Sequence, residues 1–130
     1  MVPIEQGAKI AVEKCMVVKP EDYVLIVADE DSKEIGLALR KASLEITNHV
    51  RFFNVDLPTY GGRPLKRMPE GLKEAILNAT VTFFVAGARE GELATLREPF
   101  LKLIKARARH AHMVGVTNGI MESGMCVDYD

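Results

Sequence analysis

Four short apolar segments limit what this chain can fold into: residues 23–28 (YVLIVA), 50–55 (VRFFNV), 81–86 (VTFFVA) and 110–114 (HAHMV). They are rich in β-branched and aromatic residues, and two run almost without polar interruption, as strands covered on both faces do. Their starts lie 27, 31 and 29 residues apart. That spacing holds one strand plus one returning helix, so the pattern predicts a parallel βα repeat rather than hairpins. Right-handed crossovers then give a three-layer α/β/α sandwich around a four-stranded, mainly parallel sheet, Rossmann-like or flavodoxin-like. The flavodoxin-like pattern orders the strands second, first, third, fourth.

Helical spacing fills the intervals. The first helix spans about 4–17 and ends before Lys19-Pro20, since proline disfavours helix at its predecessor. The second spans 32–48, with Ile35, Leu39, Ala42, Leu44 and Ile46 among charged residues, and Asp31 with Glu34 reads as a capping box. The third spans 69–78, with Pro69 at a first helical position and Leu72, Ala75 and Ile76 on its apolar face. The fourth begins at Leu93 or Pro99 and reaches Ala108, with Phe100, Leu101, Leu103 and Ile104 as core contacts. The longest irregular stretch is 56–68 (DLPTYGGRPLKRM). Its prolines, Gly-Gly pair and basic residues predict a mobile loop at the carboxyl edge of the sheet, where α/β folds place ligands.

At 130 residues the chain is read as a single domain, 1–130, large enough to bury a core without a structural metal or disulfides. An apolar fraction of 48% with 27% charged residues excludes a disordered chain. A net charge of −1 gives no general attraction to nucleic acid or to an anionic membrane, so neither is expected as a partner. No apolar run is long enough to span a bilayer. The charged residues between Ile4 and Met16 break any secretory apolar region, and a cytoplasmic protein is expected. Cys15 and Cys126 form neither a CxxC nor a disulfide framework, so both read as reduced thiols.

Candidate chemistry is sparse. Asp29-Glu30-Asp31 after the first strand suggests the Mg²⁺ site of a phosphoreceiver, but such a domain needs an aspartate after its third strand. Gly87-Ala88-Arg89 stands there instead, so the acids read as a cap for the second helix. The turn 87–92 (GAREGE) matches neither GxGxxG nor a Walker loop, and its two acids repel phosphate. Arg89, with Arg63, Lys66 and Arg67, is left as a contact for a carboxylate or phosphate. His110 and His112, two apart on a strand, make an HxH pair that Cys126 or Asp128 would have to complete for zinc. Packing or interface histidines are the favoured reading. In 115–119 (GVTNG), Thr117 or Asn118 can cap a short helix and present N–H groups to an anion, which makes Arg89, Thr117 and Asn118 the candidate ligand-binding residues. No GxSxG elbow and no assignable catalytic triad is present.

Three stretches resemble one family. The run Val17-Val18-Lys19-Pro20-Glu21-Asp22-Tyr23-Val24-Leu25-Ile26-Val27 resembles the opening of the thermophilic metal-dependent aminopeptidases of the aminopeptidase T and S type. His112-Met113-Val114-Gly115-Val116-Thr117 is similar to that family's His-Met-Pro-Gly-Val/Ile-Thr, with Val114 in place of the proline, and Asp128-Tyr129-Asp130 resembles its Asp-Tyr-acid. The resemblance implies an N-terminal domain flanking the active-site cleft of a longer enzyme. The paired divalent metals (Zn, Co or Mg), their ligands and the catalytic acid of such an enzyme lie in its later part, so no catalytic residue and no cofactor is carried over to this chain. The implied partners are that C-terminal catalytic domain or a homologous subunit, in a homo-oligomer. Whether the chain is itself catalytic stays open. The alternative is a stand-alone Rossmann-like module that binds a small anion or serves assembly.

Overall fold

The structure, a computed structural model, describes residues 4–87, 91–104 and 108–112. Strands β1 (Val24–Ala28), β2 (Val50–Asn54), β3 (Val81–Phe84) and β4 (Arg109–His112) form one sheet in the order β2-β1-β3-β4. Every pair is parallel and in step: Val24 lies opposite both Val50 and Val81, and Phe84 opposite His112. The two central strands, β1 and β3, are buried along their whole length, which is why their sequences are apolar almost throughout. Edge strand β2 is only half-buried and carries the exposed Arg51.

Helices α1 (Ile4–Ile10), α2 (Lys33–Leu44), α3 (Glu70–Asn78) and α4 (Glu98–Leu103) supply the outer layers. Strand alternation divides the core in two. Val24, Ile26 and Ala28 of β1 pack with Ala8 and Val12 of the first helical segment and with Ile35 and Leu39 of α2. Leu25 and Val27 point the other way, into Leu72 and Ile76 of α3 and Phe100 of α4. The result is the three-layer α/β/α arrangement that the strand rhythm predicts.

Several boundaries differ from expectation. After α1 the chain widens into a π turn (Ala11–Cys15), with Met16 N–H bonded to the Ala11 carbonyl. Val17 then takes φ +49°, and Val18 N–H closes on the Val12 carbonyl, so the helix stops by reversal before the proline acts. Ser32, not Asp31, holds the N-cap position of α2, and it makes no side-chain cap bond. Its hydroxyl turns back to Asp29 instead. The far end of α2 stops at Leu44, where Ile46 and Thr47 N–H both turn to the Ser43 carbonyl. A second π turn (Leu93–Arg97) precedes α4. Cys15 is disulfide-bonded, against the expectation of reduced thiols, which rested on sequence spacing alone; Cys126 lies outside the described residues. Among the described residues no helix is long and apolar enough to cross a membrane.

Candidate functional site at the carboxyl edge

β1 and β3 are neighbours, while the segments that follow them, α2 and α4, cover opposite faces of the sheet. Their carboxyl ends therefore flank a topological switch point, the usual ligand crevice of an open α/β sheet. Asp29 follows β1 directly, and its carboxylate is fully buried. Oδ1 accepts from Ser32 N–H at 2.9 Å and from the Ser32 hydroxyl at 2.7 Å. Oδ2 accepts from Gly87 N–H, just beyond β3, at 2.8 Å. One carboxylate thus ties the ends of both central strands to the entrance of α2.

The remaining approach to Asp29 is taken by the chain itself. Arg63, from the segment 56–68, inserts its side chain to 4% exposure and donates from Nη1 to Asp29 Oδ2 at 2.7 Å. Its Nε bonds Glu92 Oε2 at 2.9 Å, and Nη2 reaches both Glu92 Oε1 and the Gly87 carbonyl. Glu92, 1% exposed, also accepts from Leu65 N–H at 2.8 Å, and the Thr95 hydroxyl donates to the Leu65 carbonyl at 2.6 Å. Leu65 itself is buried in the core beside Leu96 and Phe100. The expectation of a mobile loop at 56–68 therefore gives way to a strap pinned at its centre, because a buried charge must be paired and hydrogen-bonded to be tolerated.

Electrostatics follow from this packing. Burial by itself would raise the Asp29 carboxyl, but hydrogen bonds from Ser32, Gly87 N–H and Arg63 outweigh it and hold the group below its ordinary value. Burial would likewise lower Arg63, and its bonds to Glu92 and Asp29 reverse that, so the guanidinium stays charged. One cation between two carboxylates leaves the crevice negative, and a small anion meets repulsion there. Because Arg63 engages both buried carboxylates, their donor set does not fit a divalent metal. Among the described residues no group of three His, Cys, Asp or Glu side chains is placed to hold one.

The mouth above Arg63 is a cavity of about 470 Å³ bordered by Gly61, Gly62, Lys66 and Thr95. Lys66 and Arg67 are exposed on the strap. His110 places Nδ1 2.6 Å from the Thr82 hydroxyl, with its ring tilted against Phe100 at 5.6 Å, which is a packing role between β3, β4 and α4. The backbone of His112 pairs with Phe84. Arg89, Thr117 and Asn118 lie outside the described residues, as do 113–130 as a whole. Asp29, read from sequence as a helix cap, is instead the hub that joins two strands, a helix entrance and the strap.

The opposite edge carries a second charged cluster. Asp22 accepts from Lys19 N–H at 2.7 Å, from the Thr80 hydroxyl at 2.8 Å and from Arg109 at the start of β4. Beside it Tyr23 stacks on His49 with ring centroids 4.2 Å apart. Compared with known proteins, the chain matches no protein-family model and no curated protein.

Proposed function

We propose that this chain acts as a non-catalytic N-terminal domain of a metal-dependent aminopeptidase, shaping the approach to a metal centre carried elsewhere and contributing to a homo-oligomer. The supporting observation is the filled crevice. Where an open α/β sheet usually receives its ligand, Arg63 occupies the space and is bonded to both buried carboxylates. That arrangement favours a scaffold over a small-anion module. The aminopeptidase part of the reading draws on the likeness of residues 17–27, 112–117 and 128–130 to that family. Hydrolysis of N-terminal residues by a metal-activated water would then belong to other residues of the enzyme.

The test is an aminoacyl chromogenic assay on the purified chain with Co²⁺, Zn²⁺ or Mg²⁺, with metal content measured in parallel. No turnover and no stoichiometric metal are expected. Metal-dependent turnover that disappears in His112→Ala would overturn the proposal and move attention to the histidine pair. A melting temperature raised by inorganic phosphate would instead favour the small-anion module.

A further inference from the structure

We infer that residues 56–68 form a strap latched by Arg63, which opens away from Glu92 and from the ends of β1 and β3 while the sheet stays folded. Opening uncovers a receptor for a guanidinium or ammonium group at the ends of β1 and β3. The latch is independent of the aminopeptidase reading. Four of the bonds that close the strap converge on one short stretch, 91–96, while Glu30 N–H holds Asp56 at its start. Arg63 Nε and Nη2 and Leu65 N–H all reach Glu92, and the Thr95 hydroxyl returns to the Leu65 carbonyl. The single tie from the strap's guanidinium to β1 is Nη1 on Asp29, and Gly87 is held by its carbonyl.

Gly61 and Gly62, just before Arg63, both have positive φ, +85° and +86°, with open space around each α-carbon. They supply a hinge that side chains do not obstruct. On the far side of the strap Lys66 and Arg67 are exposed. Asp29 retains Ser32 and Gly87 N–H as partners without Arg63, so the ends of the central strands keep their own connection. What opening exposes is two carboxylates and a carbonyl arranged around a planar cation, which is guanidinium recognition geometry.

The experiment is limited trypsin digestion at Lys66 and Arg67, comparing the wild-type chain with Arg63→Ala, with and without millimolar methylguanidinium. Circular dichroism checks that the sheet is retained. The expected result is cleavage at least ~10-fold faster in the folded variant, slowed again by methylguanidinium beyond its direct inhibition of trypsin on an unstructured lysine peptide, and not slowed by tetramethylammonium. Cleavage that only tracks global unfolding, or that methylguanidinium leaves unchanged, would overturn the inference. Should Arg63→Ala not fold, hydrogen exchange on the wild type decides. The Leu65 amide is expected to exchange faster than Ile26 and with a smaller denaturant dependence, as local opening requires. Exchange of both only through the global transition would count against the latch.

Discussion

Val17 shows the local cost of ending a helix on the wrong residue. Its φ of +49° lies in the left-handed region, which a β-branched side chain resists, and at 49% exposure the valine gains little from burial in return. Val17→Gly should therefore raise stability, by about 1 kcal/mol, with the helix reversal unchanged. Urea titration checks this, and a loss of stability would mean that the side chain packs more than its exposure suggests. At this scale the sequence concealed most of the candidate site. Arg63, Asp29 and Glu92 are scattered along the chain, and each looks ordinary locally: a basic loop residue, a helix-start acid and a turn acid. Only the parallel topology brings them together, because each sits just beyond a strand or in a connection crossing the same sheet edge. No period or motif encodes that kind of contact.

Elements were easier to read. The strands stood out because β1 and β3 are covered on both faces, so burial leaves an uninterrupted apolar run. Helix ends were harder, since hydrogen bonds such as Ser32 to Asp29 override the capping signal that Asp31 and Glu34 present. The contact of α2 with the sheet depends on Gly36. A Cβ there would lie 2.8 Å from the Phe52 ring and 2.9 Å from Ala28, so the helix approaches only as far as a missing side chain permits. Gly36→Ala should push α2 from the sheet and cost about 1–3 kcal/mol, despite the better helix propensity of alanine. An unchanged denaturation midpoint would show that Phe52, partly exposed at the edge, swings aside without penalty.

For the whole molecule, each end of the sheet is fastened by a buried aspartate, Asp22 at the amino edge and Asp29 at the carboxyl edge. Burial would raise the Asp22 carboxyl, but Lys19 N–H, Thr80 and Arg109 outweigh it and hold it below 3.8, as their counterparts do for Asp29. A carboxyl depressed in the folded state binds its proton more readily once unfolded. Its stabilising contribution is therefore complete above the ordinary value of 3.8 and is lost as pH falls toward the folded value. The denaturation midpoint should fall steeply below about pH 4, and Asp22→Asn should flatten that slope while lowering stability at neutral pH. Equal slopes in the two proteins would show that this carboxylate does not govern the acid transition.

The strand order also bears on how the protein is made. β1 receives its first flank from β2, but Val24 meets Val81 on the other side only after the long connection and α3 have been synthesised. No hairpin forms early to protect it, and pairings so distant along a chain are slow to find. As the protein leaves the ribosome, its most apolar strand waits with one backbone edge open. A chain cut short before residue 81 is left permanently in that condition, the exposure from which aggregates grow.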